Sequence, residues 1–268
     1  MFFAQSVSNT QVKFTDCHIE VTCDLTAANP TKMTLFYSPD NGTTWLPATT
    51  VTGDTAATTT GHKTILWDNQ ADNVRYGKFW FKVEVPQSKC VIINGVCWAT
   101  RNVGAPGTFA DNPEDYGIFY QWNRNVGWSA TNPMINSNGG NTWNNSNSTG
   151  TTWTTGNDPS PAGFRVPTLA EIQTLLDADK VSSQWTTQNG VSGCLFTDKT
   201  TNNSLFLPAA GLRDGSDGTL FNADSLGYYW SSTQYDSSRA YLLGFSSGNA
   251  GWYGGYRSYG YSVRAVAE

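Results

Sequence analysis

Apolar residues along this chain recur mostly at every second position. Cys17, Ile19, Val21, Cys23 and Leu25 alternate with polar neighbours, the signature of a strand with one buried face. MTLFYS (33–38) runs into Pro39-Asp40-Asn41-Gly42, a turn signal, and on to Thr44-Trp45. KTILWD follows around Trp67, and KFWFKVEV places Phe79, Phe81, Val83 and Val85 on one side. Short strands with polar turns over residues from about 9 to 86 predict an immunoglobulin-like or fibronectin-like β-sandwich. Pro86-Gln87-Ser88 then reads as a linker, which sets two domains at 1–87 and 88–268.

In the second domain CVIINGVCWATRNVG is a hairpin closed by Asn94-Gly95. DNPEDYGIFYQWNR is aromatic-rich and turn-prone. Residues 126–160 are rich in Asn, Ser, Thr and Gly and carry no strand or helix signal, but Trp128, Trp143 and Trp153 punctuate them. The segment is either a disordered, variable loop or one that these rings pin across the domain near the binding face; the cost of leaving tryptophan in water favours the second. One helix is predicted after Pro167: Thr168 at the N-cap and Glu171 at N3 form a capping box, and Leu169, Ile172, Leu175 and Leu176 form the apolar stripe. SLFLPAAGLRDGSDG reads as a strand entering a turn, with Arg213 forming a structural pair with Asp214 or Asp217.

The last stretch, Gly227–Glu268, holds eight of the twelve tyrosines and two of the eleven tryptophans among serines and glycines. Tyr and Trp give wide, stiff contact area at low rotamer cost, and Ser, Gly and Asn adapt their hydrogen bonds, the chemistry of binding loops. In AYLLGF, Tyr241, Leu243 and Phe245 alternate with Ala240, Leu242 and Gly244, so the first set is expected inside and the second outside. In YSVRAV, Val263 and Ala265 likewise alternate with Ser262, Arg264 and Val266. Between them SSGNAGWYGGYRSYG has five glycines and no period, the mark of a loop or irregular hairpin.

The net charge is −5, and basic residues do not cluster, which excludes nucleic acid and anionic membranes as partners. No apolar run reaches the roughly 18 residues of a membrane span, so membrane insertion is not expected. FFAQSVS at the start has the look of a trimmed signal peptide; the alternative is a protein made without one, such as a virion component. Of five cysteines at least one is unpaired. Cys17 and Cys23 are too far apart along one strand to bond, and Cys90 and Cys97 are diagonal across their hairpin, so buried thiols are expected for most.

Chemistry for catalysis or metal binding is sparse. His18 and His62 are the only histidines, both in the first domain. Asp40-Asn41 and Asp68-Asn69 fit turn chemistry. Asp111, Glu114 and Asp115 form a small acidic group of the kind that holds calcium or merely solvates a loop. No metal or cofactor is expected.

Several phrases coincide with one family. WATRNVG (98–104), EDYGIFYQWNR (114–124), PAGFRVPTLAEI (161–172), LFLPAAGLRDG (205–215), GYYWSST (227–233) and RSYGYSVRAV (257–266) resemble the Fibrobacter succinogenes major paralogous domain. That family is similar to the formylglycine-generating-enzyme branch of the C-type lectin fold. The resemblance implies an α+β C-type-lectin-like domain whose first hairpin pairs with the last strand, behind an Ig-like sandwich. The same fold serves as the variable protein of diversity-generating retroelements, phage receptor-binding proteins among them.

Carried over, the resemblance implies a frame of Trp230, Ala240, Tyr241, Leu243, Phe245, Val263 and Arg264. It implies a displayed set of Tyr235, Asp236, Ser237, Leu242, Gly244, Ser246, Ser247, Asn249, Gly251, Trp252, Tyr253, Gly254, Tyr256, Ser258 and Tyr259. Formylglycine-generating enzymes use a cysteine pair in the C-terminal half, where Cys194 stands alone here, and the Glu-Pro-Asn and Gln-Pro-Asp calcium motifs of lectins are absent. The expectation is a non-enzymatic, adhesin-like protein, extracellular, on a cell surface or on a virion, that contacts a protein or glycan receptor on another cell or particle. Its rivals are a structural surface or virion module and a formylglycine-generating-enzyme-like oxidase.

Overall fold

The computed structural model describes residues 6–15, 18–27, 31–56, 58–74, 77–85 and 89–268. The chain divides into two compact units, Met1–Ser88 and Lys89–Glu268.

The first unit contains β1 (Ser6–Phe14), β2 (Ile19–Thr26), β3 (Thr34–Ser38), β4 (Leu46–Pro47), β5 (Val51–Gly53), β6 (Gly61–Trp67) and β7 (Trp80–Glu84). They form two antiparallel sheets, ordered β1-β2-β6-β5 and β4-β3-β7. The alternating residues Ile19, Val21, Cys23 and Leu25 are buried with Leu35, Ile65, Trp67, Val83 and Val85 in one core. Trp67 stacks on Tyr37, and its indole N–H donates to Asp72 at 2.7 Å. Cys17 lies outside the described residues. Cys23 is a free buried thiol, its pKa raised first by burial.

The second unit is mainly antiparallel β-structure with a single α-helix, so the expected α+β balance is shifted strongly toward β. Its strands are β8 (Cys90–Ile93), β9 (Val96–Ala99), β10 (Ile118–Gln121), β11 (Gly127–Ser129), β12 (Phe164–Arg165), β13 (Val181–Gln188), β14 (Val191–Asp198), β15 (Ser204–Pro208), β16 (Leu212–Arg213), β17 (Leu220–Phe221), β18 (Gly227–Gln234), β19 (Arg239–Phe245), β20 (Ala250–Tyr256), β21 (Gly260–Tyr261) and β22 (Val266–Ala267). Four sheets result: β11-β10-β21-β16-β17, β12-β22-β9-β8, β13-β14-β15 and β18-β19-β20. The last strand pairs with the first hairpin through Val266 and Trp98. The helix α1 (Leu169–Leu175) has the anticipated capping box and buries Ile172 and Leu175.

Local turn chemistry sets these hairpins. Asn94 and Gly95 both have positive φ, 45° and 80°, and Asn189 and Gly190 repeat the device at 47° and 86° between β13 and β14. Both central residues of such a turn occupy the left-handed region, which Asn tolerates and Gly enters freely. In the first hairpin Cys97 faces Ile92 and Cys90 faces Ala99, yet Cys90 and Cys97 are disulfide-bonded, contrary to expectation. Strand twist brings this diagonal to a Cα separation of 5.5 Å, inside the range a disulfide spans.

The 126–160 segment is held by its tryptophans and by arginines from elsewhere. Trp128 and Trp153 are buried; Trp143 packs on Trp128 and donates to the Gly215 carbonyl at 3.2 Å. Arg213 pairs with neither Asp214 nor Asp217. It is fully buried and donates to the carbonyls of Ser129, Thr131 and Gly218, while the two aspartates cap their own turn. Arg257 bonds the carbonyls of Ser148, Gly150 and Asp236, with its guanidinium 4.2 Å from the Trp122 ring centre. A guanidinium offers five donors in a fixed fork, so one side chain satisfies several carbonyls that irregular backbone leaves open.

Candidate ligand-binding surface

β18, β19 and β20 form the frame. Trp230 is buried and donates to the Tyr120 carbonyl at 2.6 Å. Leu243 and Phe245 enter the core that contains Ile172 and Leu175. Ala240 and Leu242 enter a second core with Trp230, Tyr261 and Val263. The sheet therefore has buried residues on both faces, and the one-face-in, one-face-out reading of β19 fails. Leu242, expected outside, is 2 % exposed, and Gly244 is buried with it. Tyr241, expected in the frame, is half-buried and joins the outer rings instead. The same two-sided burial takes in Ser262, Arg264 and Val266.

The stretch expected as an irregular loop contains β20, paired along its whole length with β19. Its outer side has no partner among the described residues. Here Trp252, Tyr253 and Tyr256 are 46, 47 and 55 % exposed, and Tyr235 beside them is 44 % exposed. Tyr241 makes edge-on contacts with both Tyr235 and Trp252, at 4.9 and 5.6 Å between ring centres. Tyr253 registers with Leu242, one step along the strand from Trp252, and so sits on the opposite face.

Glycines make room for these rings. A Cβ at Gly254 would lie 3.0 Å from the Tyr235 ring, and one at Gly244 would lie 2.9 Å from the Tyr253 ring. Asp236 fixes the turn between β18 and β19. Its carboxylate accepts from the backbone of Ser238 and Arg239 and from the Arg239 guanidinium, at 2.8, 2.7 and 2.8 Å. These bonds, the Ser238 amide first, hold its pKa well below the carboxylate range. Arg239, absent from the sequence-derived set, lies 4.5 Å from the Tyr235 ring centre; an Asp-x-x-Arg spacing across a turn was its available signal.

The remaining displayed positions divide. Ser237, Ser247, Asn249 and Gly254 are exposed, and Asp236, Ser246 and Gly251 are half-buried. Ser258 and Tyr259 are half-buried too, and Tyr259 packs against the second core. Burial, then the nearby Asp214, raises the Tyr259 phenol pKa, which marks it as frame more than display. Tyr228, also missed, stacks on Tyr261 at 5.3 Å.

Elsewhere the structure disperses possible chemistry. Glu114 accepts from Gln188 and Asn189, and Asp115 caps Asn112, so the acidic group of 111–115 does not converge on one point. Cys194 is a buried free thiol whose pKa burial pushes up to about 12.

A family model described as a domain of unknown function (DUF8237) matches residues 195–266, a stretch that includes β18, β19 and β20. No curated protein and no solved structure matches the chain.

Proposed function

We propose that this protein is a non-enzymatic, adhesin-like binding protein whose second unit presents an aromatic surface to a protein or glycan receptor on another cell or particle. The observation that carries this reading is the set of rings on one face of the sheet's edge, Tyr235, Trp252 and Tyr256, with Tyr253 on the opposite face of the same strand, each about half exposed. Rings held on a rigid sheet lose little entropy on binding, and large aromatics dominate hot spots. Exposed apolar area gathered in one place is also costly to a monomer without a use for it.

In this reading the second unit is a C-type-lectin-like domain of the formylglycine-generating-enzyme branch, and the first an Ig-like spacer. The pairing of the first hairpin with the last strand supports it, as do the six sequence phrases. The rival oxidase reading is disfavoured by Cys194, whose buried thiol, with its raised pKa, supplies little thiolate at neutral pH. The protein acts outside the cell, on its surface or on a virion, and its exposed C-terminal positions are diversified by a retroelement.

The test is a variant with Tyr235, Trp252, Tyr253 and Tyr256 all changed to alanine, assayed against a panel of bacterial cells and surface proteins. Binding should fall at least roughly 100-fold, two hot-spot losses or more, with the melting temperature nearly unchanged. Full retention of binding, or a collapse of the fold, rejects the proposal.

A further inference from the structure

Beside the aromatic sheet the 126–160 segment encloses an open cleft of about 610 Å³. Its wall is unusual in chemistry: side-chain amides predominate, Arg124 is the sole charged residue, and carboxylates are absent from it. A cleft of this size accommodates a small molecule. With no carboxylate it does not suit a cation, and with one guanidinium it does not suit a polyanion. With few apolar side chains it offers little to a peptide's hydrophobic anchors.

The amides fall into two groups. Gln121 and Asn123 are held in place. Gln121 is 1 % exposed and donates from Nε2 to the carbonyls of Asn144 and Ser258, so it ties the cleft's wall to the rest of the unit. Asn123 donates to the Thr149 carbonyl at 3.0 Å and accepts from Thr154 and Asn157. Asn138 and Asn147, on the outer wall, are exposed, and their side chains make no hydrogen bond among the described residues. Arg124 is anchored by Nη2 on Ser146.

We infer that this cleft is a saccharide-binding site. Each hydroxyl of a sugar both donates and accepts, and a primary amide is the uncharged side chain that presents both functions in one plane. The fixed amides hold the wall in shape, and the exposed amides of Asn138 and Asn147 at the rim provide donors and acceptors for adjacent hydroxyls. The site is built without calcium ligands, and Arg257 and the segment's tryptophans hold its walls. Neutral sugars and acidic ones share this hydroxyl chemistry; Arg124 distinguishes them, because a carboxylate opposite it gains a charge-assisted bond.

The experiment uses the full chain on a glycan array carrying glucose-, galactose-, mannose- and N-acetylhexosamine-terminated oligosaccharides alongside sialylated and uronate-containing ones. Wild type should retain a subset. The Asn138→Ala, Asn147→Ala double variant, whose substituted side chains hold nothing else together, should lose roughly tenfold in affinity for it. Arg124→Gln should reduce binding further if the retained glycans are acidic and leave it unchanged if they are neutral; either result assigns the source. No retained glycan, or undiminished binding by the double variant, overturns the inference. The inference is independent of the aromatic surface, which the cell-binding assay reports separately.

Discussion

Arg264 is the residue that best illustrates how this fold spends a charge. It is buried, and its Nε, Nη1 and Nη2 donate to Asn102 Oδ1, the Ala99 carbonyl and the Phe206 carbonyl at 2.9, 3.1 and 3.0 Å. Desolvation pushes its pKa down to about 10, still cationic at neutral pH. Arg264→Met keeps the length and removes every donor, so four acceptors lose their partner, the Pro113 carbonyl at 3.5 Å being the most distant. Each such orphan costs on the order of 1–3 kcal/mol, partly offset by not burying the charge. The expected loss is about 3 kcal/mol, read as a lower urea midpoint with an unchanged slope. A change below about 0.5 kcal/mol would place this arginine among ordinary surface positions. The family resemblance places Arg264 in the frame, whereas alternation places it outside, because a period of two carries no information about whether the second face of a strand is also covered.

At the scale of elements, α1 was fully legible, because a capping box is a local device. Glu171 accepts from Arg165 at 2.9 and 2.6 Å and from the Thr168 amide at 2.7 Å. Burial alone would raise its pKa, but the Arg165 and Thr168 hydrogen bonds outweigh it and hold the group below its ordinary 4.5. With the folded value depressed, this stabilisation is complete above about pH 4.5 and is lost as pH falls through the folded value. Glu171→Ala should therefore destabilise by about 1–2 kcal/mol at pH 7. That difference from wild type should shrink in an acid titration followed by circular dichroism, and a difference that grows on acidification would contradict the assignment. The hairpin β13–β14 carries a local signal as well: Asn189-Gly190 is the same turn signal as Asn94-Gly95. β20 was not legible. Ala250–Tyr256 has a glycine-rich sequence without alternation, and its strand form comes from hydrogen bonds to β19 and not from its own propensity.

The whole molecule separates a frame from what it displays, and this division corrects which positions a diversifying mechanism can use. Exposed Tyr235, Ser237, Ser247, Asn249, Trp252, Tyr253 and Tyr256 can change without touching a core, whereas Leu242, Gly244 and Gly255 cannot. If the gene is diversified, a reverse transcriptase and a template repeat should lie nearby. The template should differ from the gene at codons of the exposed set and match it at the buried three. Sequencing the surrounding locus checks this, and a locus lacking the repeat sinks the diversification proposal while leaving the aromatic surface intact.

By itself the sequence determined whatever is written in neighbouring residues: the alternating strands of the first unit, the Asn-Gly turns, the capped helix and the aromatic, serine- and glycine-rich vocabulary of the C-terminal stretch. Tertiary structure alone decided that β19 is covered on both sides, that the Cys90–Cys97 diagonal closes, that Arg213 turns to carbonyls instead of its neighbouring aspartates, and that an Asn-rich segment encloses a cleft. The physical reason is range. Turn and cap energies depend on residues within a few positions of each other, while burial and the satisfaction of backbone carbonyls depend on partners a hundred or more residues away.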